Sequence, residues 1–252
     1  MKQLPMTRRN CGITLIELLV ALLLTAFLLL GLVQLVTAAG TAMRLQDNQA
    51  QLQDQARFAM HLLADAVGQA AYSPEPWNPD FEIEGIAAQT MDSVSANSDR
   101  LVVRSWSDLN CFDNRNPDTQ SGKPRFYIRE STFELNGSGN LARGCRYGPS
   151  LAELVTQVRR QGIVPGVESF QLLFGDDQDQ DGNVDRWVRA GHWSNERRVL
   201  GVRAGLLLAG PGAVVETGTR VHDILDVRIS SRADGKLRQA IELTLALRSR
   251  RR

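Results

Sequence analysis

An aspartate-rich stretch of the chain has the residue types and the spacing of a calcium loop. Its carboxylate and amide side chains recur at alternate positions, in Asp177, Asp179, Asp181, Asn183 and Asp185. Oxygen ligands at alternate positions, with a glycine such as Gly182 at position six, form the pattern of the EF-hand loop, in which position seven binds through its backbone carbonyl. Position twelve is Val188 instead of the bidentate glutamate of an EF-hand. We therefore predict a calcium-stabilised turn, and the alternative is an acidic, solvated turn.

An apolar run near the N-terminus contains a single ionisable side chain. Among residues 13–36, Glu17 is the only residue with an ionisable side chain. As an α-helix these residues would span about 36 Å, which is enough to cross a bilayer. A carboxylate in hydrocarbon costs about 2.5 to 3.5 kcal/mol. We therefore predict a transmembrane helix in which Glu17 has a functional role and a partner.

The residues that precede this run are basic. Lys2, Arg8 and Arg9 come before the span, and no acidic residue accompanies them. Positive charge beside a span keeps that side in the cytoplasm, so we predict a single-pass inner-membrane protein with a cytoplasmic N-terminus and a periplasmic head. Without these three cations the formal net charge of +1 becomes −2. Such near neutrality argues against a general nucleic-acid-binding protein, and the arginines of residues 248–252 are interpreted as a solvated end.

The junction between the basic and the apolar residues resembles a known processing site. Residues 12–18, Gly-Ile-Thr-Leu-Ile-Glu-Leu, are similar to the cleavage segment of type IV pilin precursors. The resemblance implies that prepilin peptidase cuts after Gly12, that Ile13 becomes N-methylated and that Glu17 is kept inside the helix. Cleavage would create an α-amino group close to Glu17, on the same chain or on a neighbouring subunit, and pairing would neutralise both charges in a helix bundle. The alternative is an uncleaved signal anchor that tolerates the acid.

Two cysteines remain once residues 1–12, which include Cys11, are removed. Cys111 and Cys145 would then lie in an oxidising compartment, where a pair of thiols forms a disulfide more often than a metal or redox site. Closing a loop of this length stabilises a fold by about 3 to 4 kcal/mol in the chain-entropy model. The alternative is two separate buried thiols.

The pattern beyond residue 36 predicts that the helix continues to about residue 72. Apolar and small residues recur on one helical stripe, at Leu45, Leu52, Ala56, Ala59, Leu63, Ala66 and Ala70. Three prolines then follow, and they exclude further helix, at Pro74, Pro76 and Pro79. The helix therefore has an apolar half followed by an amphipathic half.

The end of this helix narrows the resemblance to two groups within the pilin family. Residues 55–72 are similar to the segment that closes the N-terminal helix in minor pilins of the PilW type and in J-type pseudopilins of type II secretion systems. On this basis we predict four regions along the chain: a cleaved leader at residues 1–12, a transmembrane half of the helix at 13–36, an amphipathic half at 37–72 and a periplasmic, β-rich head at 73–252.

The head is predicted to consist mostly of strands. Stretches rich in β-branched, aromatic or alternating apolar residues lie at residues 100–106, 126–135, 167–174, 187–190, 199–209, 224–231 and 240–248. Ser150 and Glu153 form the pattern of a capping box, which predicts a short helix over residues 150–160. Asp234 and Gly235 predict a hairpin turn between the last two strands. The expected fold is an α+β fold of the type IV pilin kind, with the long helix packed on an antiparallel sheet.

Motifs of the common enzyme classes are absent from the sequence. It contains no Gly-x-Ser-x-Gly elbow, no phosphate-binding loop and no His-Glu-x-x-His motif. The three histidines, His61, His192 and His222, are far apart in the sequence. We therefore predict a protein that is not an enzyme.

The resemblance implies a function in filament assembly. A minor pilin of the PilW type would take part in priming or tip assembly of a type IV pilus and would reach the cell surface in that pilus. Its partners would be prepilin peptidase, other minor pilins, the major pilin and the inner membrane. One alternative is a J-type pseudopilin of a type II secretion system. Another is a membrane-anchored, calcium-dependent adhesin or sensor, and an anchored periplasmic enzyme is the least favoured.

Overall fold

The computed structural model of the chain describes residues 14–95, 98–117, 119–120 and 122–248. Gly12 and Ile13 of the predicted processing site lie outside these residues. The chain divides into two units, of which the first ends at Asp47 and the second begins at Asn48.

The first unit contains the start of a long helix, α1 (Leu15–Gln69). The apolar stretch of α1 has a mean hydropathy of 2.7, and its side chains are exposed. By length and composition this stretch is a candidate membrane span.

In the second unit, α1 presents one buried stripe. The stripe recurs every three or four residues, at Leu52, Ala56, Ala59, Leu63 and Val67. The predicted stripe is therefore confirmed in the main, although Leu45 is exposed, Ala66 is half-buried against the core and Val67 is fully buried beside it. Backbone hydrogen bonds from Ala71 N to Arg104 O and from Trp106 N to Tyr72 O fix the end of the helix to a neighbouring strand.

The first sheet is antiparallel and has five strands, in the order β1-β2-β5-β6-β7. Its strands are β1 (Met91–Ser95), β2 (Ser98–Ser107), β5 (Tyr127–Leu135), β6 (Asn140–Gly148) and β7 (Val155–Pro165). Two short strands, β3 (Thr119–Gln120) and β4 (Lys123–Pro124), form a separate hairpin in the loop between β2 and β5. A turn at Asn136 joins β5 to β6.

The second sheet is also antiparallel and has four strands, in the order β13-β10-β8-β9. Its strands are β8 (Val167–Asp176), β9 (Arg186–Val188), β10 (Val199–Ala213) and β13 (Lys236–Ala246). A hairpin of β11 (Val221–Ile224) and β12 (Val227–Ser230) lies outside this sheet. Its Ile224 is fully buried against Gly205 of β10.

The hydrophobic core lies between the helix stripe and one face of each sheet. The first sheet contributes residues such as Leu101 and Phe133, and the second contributes Phe170, Leu172 and Leu206. The predicted fold class, a long helix packed on an antiparallel sheet, is therefore confirmed, but the head has two main sheets where we expected one.

The predicted helix at residues 150–160 is wrong. A 3₁₀ turn, Leu151–Glu153, is the only helical part of this stretch, and the strand β7 begins at Val155. The hydroxyl of Ser150 donates to the side chain of Glu153 at 2.9 Å and caps no backbone amide. β7 pairs with β6 along most of its length, and this pairing outweighs the local helix signal. The β-branched Val155, Thr156 and Val158 also favour a strand.

Two predictions for the C-terminal part also need correction. Residues 224–231 were predicted to form one strand, whereas this region holds the hairpin of β11 and β12, with a turn at Leu225 where φ is +53°. Asp234 and Gly235 do not join two paired strands, because β13 pairs with β10. The carbonyl of Gly235 accepts instead from the amides of Val214 and Val215, directly after β10.

Candidate functional site

The first part of α1 exposes apolar side chains on every side. Leu18, Leu24 and Phe27 are each more than half exposed. A helix that is apolar all round is stable only when lipid or other helices cover it. This part of the chain is therefore suited to membrane insertion and to packing between helices.

Glu17 lies in the first turn of α1. Its carboxylate accepts hydrogen bonds from the backbone amide and from the hydroxyl of Thr14, both at 3.4 Å. Bonds of this length are weak. The carboxylate therefore keeps the capacity to bind a stronger donor, such as an amine.

The acidic loop joins β8 to β9, and it brings three of the predicted ligands together. One carboxylate oxygen from each of Asp177, Asp179 and Asp185 lies within 4.8 Å of the other two. Asp177 is fully buried, whereas Asp179 and Asp185 are exposed. The group is thus open to solvent on one side.

Backbone amides of the loop hold all three carboxylates in place, and Asp179 accepts from the amide of Asp181 at 3.1 Å. Asp177 accepts from the amides of Gln180 at 2.7 Å and Gly182 at 3.3 Å. Asp185 accepts from the amide of Gln178 at 2.6 Å. The loop folds back on itself in this way because Gly182 has a φ of +92°, which favours glycine.

Asp181 and Asn183 are placed differently from the other predicted ligands. The carboxylate of Asp181 accepts from both the backbone amide and the side-chain amide of Asn183, at 2.7 and 2.8 Å. Asp181 is not part of the group of three aspartates, and the prediction for Asn183 concerns its backbone carbonyl and not its side chain. The EF-hand spacing therefore identifies the loop, but the geometry selects Asp177, Asp179 and Asp185.

The three clustered aspartates fit a hard cation. Carboxylates this close repel one another unless a cation lies among them. Oxygen is the ligand that Ca²⁺ prefers, and a site with six to eight ligands would need backbone carbonyls or water in addition. When bound, Ca²⁺ would offset two of the three negative charges of this group and fix β8 to β9.

A buried aspartate that the sequence did not single out supports this loop. Asp176, at the end of β8, accepts from the Arg186 guanidinium and from the Ser194 hydroxyl, each at 2.9 Å. Burial by itself raises the pKa of Asp176, but the hydrogen bonds from Ser194 and Arg186 outweigh it and lower the pKa. Asp176 therefore stays ionised beside the cluster. Its partners lie 10 and 18 residues away, so local spacing did not reveal them.

A disulfide joins Cys111 to Cys145, the pairing that we predicted. It connects the loop after β2 to the middle of β6, and both residues are buried. The amide of Cys111 also donates to the side chain of Gln157 on β7, at 2.9 Å. The loop is therefore attached to two neighbouring strands.

Comparisons with known proteins agree with this architecture. The family model of the type IV pilus-assembly protein W, PilW, matches residues 125–249, and the model of the prokaryotic N-terminal methylation motif matches residues 7–33. Among solved structures, a type IV-like pilin from Thermus thermophilus has a similar fold, with a TM-score of 0.51 and 17% sequence identity. The similarity covers 80% of this chain and 97% of that one. None of the curated proteins compared with the chain matches it.

The matches cover the two parts of the chain that carry its distinctive features. The methylation motif includes the predicted processing site and the apolar start of α1. The PilW model includes the strands from β5 to β13 and the acidic loop. The pilin family and fold are those of a structural protein and not of an enzyme. The chain is a PilW-like type IV pilin.

Proposed function

We propose that this pilin is a minor pilin that takes part in priming or tip assembly of a type IV pilus. The observation that carries the proposal is the apolar surface around the first part of α1, whose large apolar side chains are exposed on every side. Covering this surface by neighbouring helices would release apolar area from lipid contact and allow close van der Waals packing.

The proposed assembly begins with processing. Prepilin peptidase removes residues 1–12, and the amine of Ile13 then pairs with Glu17 of the same or a neighbouring subunit. Because each charge is costly alone in a bilayer, the pairing favours one register of helix against helix. Residues 13–36 anchor the protein in the membrane, and residues 37–72 carry the head.

The proposed orientation follows from the charges beside the span. Lys2, Arg8 and Arg9 keep the leader in the cytoplasm, so the head lies in the periplasm and later in the surface pilus. Its partners are then other minor pilins and the major pilin. A J-type pseudopilin of a type II secretion system would share the same helix and head, so pilus membership needs a direct test.

The test is a deletion strain scored for two outputs, surface pili and secretion of a folded exoprotein. Loss of pili with normal secretion, restored by the wild-type gene, is the expected result. Normal pili with blocked secretion would contradict the pilus function and favour the pseudopilin. Loss of neither would favour an adhesin or sensor function for the head.

We also propose that the acidic loop binds Ca²⁺ through Asp177, Asp179 and Asp185. The specific support is that these oxygens lie within 4.8 Å of one another. The fixed positions of Asp177 and Asp185, held by backbone amides, add to it. The cation would have a structural function here, because it would close the loop between β8 and β9.

A further inference from the structure

A groove lies beside the end of α1, in the second unit of the chain. It encloses about 480 Å³, which is within the usual size range of ligand sites. Its apolar lining comes from Ala71 after the helix, Ile83 in the following loop, Val199 at the start of β10 and Leu247 after β13. We name it the α1-end groove.

Acidic side chains surround this apolar lining. Glu82, Glu84 and Glu196 line the α1-end groove, and Arg197 is the cation among its lining residues. Arg197 lies 2.7 Å from Glu82 but 4.0 Å from Glu84, which is the outer limit of an ion pair. Glu82 therefore largely neutralises the charge of Arg197. Glu84 and Glu196 leave the groove negative.

The helix end adds to this negative potential. The C-terminus of a helix carries a partial negative charge, which Lys or Arg in the last turn usually offsets. The last turn of α1 contains no basic residue. Tyr72, 44% exposed, and Phe81 also line the groove, and aromatic faces attract a guanidinium group.

We propose that the α1-end groove binds an extended segment of a partner protein that carries arginine next to an apolar residue. The guanidinium pairs with Glu84 and Glu196 near the helix end, and the apolar neighbour covers Val199 and Leu247. Charge complementarity selects this occupant, because an acidic or uncharged segment would leave the carboxylates unpaired. The proposal does not depend on membership of a pilus.

Binding of a labelled peptide to the full-length chain in a non-ionic detergent tests the proposal. The probe is acetyl-Ala-Leu-Arg-Leu-Arg-Ala-amide, and its control has citrulline, a neutral analogue, in place of arginine. Fluorescence anisotropy should show binding of the arginine peptide that weakens with salt, and no binding of the citrulline peptide. Equal binding of both peptides, or no binding of either, would overturn the proposal.

Two sets of variants should change the affinity in opposite directions. The double variant Glu84→Gln/Glu196→Gln should bind the arginine peptide about fivefold more weakly, as expected for two partly exposed ion pairs. Arg197→Ala should bind it about twofold to fivefold more tightly, because the substitution releases Glu82 and removes a competing cation. A purely structural function of these residues would not produce opposite shifts.

A matched control removes two carboxylates elsewhere on the second unit. Asp54 and Glu216 are exposed and do not line the groove. The double variant Asp54→Asn/Glu216→Gln should bind the peptide as the wild type does. If this control weakens binding as much as the groove variant, the attraction is a general effect of net charge and the proposed site is wrong.

Discussion

Asp99 of β2 accepts a hydrogen bond from the backbone amide of Leu172 of β8, at 2.7 Å. The two strands belong to different sheets, so this bond joins the sheets through a side chain. The neighbouring Ser98 accepts in the same way from the amide of Phe170, at 3.1 Å. β9 pairs with β8 only from Phe174 onward, and the two side chains therefore satisfy edge amides that β9 does not reach.

The pH dependence of stability should identify this contact. Burial raises the pKa of Asp99 to about 7, although amides of Ser93 and Leu172 oppose the shift, and Asp92 adds to it. Because the folded state then holds the proton more tightly than the unfolded chain, this contribution to stability is full below about pH 4 and is lost as the pH rises through about 7. The free energy of unfolding of Asp99→Asn should therefore depend less on pH between about 4 and 7 than that of the wild type.

Urea unfolding of both proteins across this pH range is the measurement. Each pKa unit corresponds to about 1.4 kcal/mol, so the difference in free energy of unfolding between the two proteins should change by a few kcal/mol at most across this pH range. The exposed Asp54 is a suitable control, and Asp54→Asn should leave the wild-type profile unchanged. Parallel profiles for Asp99→Asn and the wild type would contradict the assignment.

Calcium should stabilise the head through three aspartates and not through the whole acidic run. We expect Ca²⁺ to raise the melting temperature of the wild type and a chelator to reverse this, because the ion binds only the folded loop. Asp179→Asn should abolish the shift. Asp181→Asn should retain it, since Asp181 is bound to Asn183 and lies outside the cluster.

Differential scanning calorimetry with Ca²⁺ and with Mg²⁺ would measure both variants. Equal loss of the shift in the two variants would support the EF-hand spacing of the sequence over the observed geometry. No shift in the wild type at millimolar Ca²⁺ would refute the site.

Glycine at position 205 should be required for the position of the hairpin of β11 and β12. A Cβ atom at Gly205 would overlap the side chain of the buried Ile224. Overpacking of this kind costs about 1 to 3 kcal/mol, so Gly205→Ala should lower the free energy of unfolding by that amount. Gly212→Ala is the control on the same strand, because nothing lies within 4 Å of its added Cβ. Similar losses in the two variants would show that strand propensity, and not the hairpin, decides the result.

Local patterns predicted the parts of the fold that depend on neighbouring residues. Alternation in β13 and the stripe of α1 are periodic features, and both predicted the correct type of element. β7 was missed because its pairing with β6 overrides a capping signal at Ser150. The same limit applies to the sites, since Asp99 and Leu172 are 73 residues apart and no spacing rule connects them.

In the acidic loop, too, the sequence predicted one part of the site and not the other. Its oxygen-bearing residues were evident from spacing, because ligands of one loop are close in sequence. Which of them converge depends on the turn at Gly182 and on amides that Asp177 and Asp185 bind. The groove beside α1 was not predicted at all, because Glu84 and Glu196 come from segments 112 positions apart in the chain.

Loss of the Glu17 carboxylate should block assembly without blocking membrane insertion. In Glu17→Val the amine of a processed subunit would lack its partner, and an uncompensated buried charge costs about 3 to 5 kcal/mol. Surface pili should therefore fall by at least about tenfold in a strain that carries only this variant. Membrane extraction should recover the variant in wild-type amounts, because valine favours insertion more than glutamate does.

Thr25→Val is the matched control within the same span. The hydroxyl of Thr25 donates to the carbonyl of Ala21 at 2.7 Å, so its polar group is already satisfied within the helix. This variant should assemble as the wild type does. If both variants reduce piliation equally, the span tolerates no polar-to-apolar change and no special function of Glu17 follows. If Glu17→Val assembles normally, the pairing of Glu17 with an amine is not what sets the register of the helices.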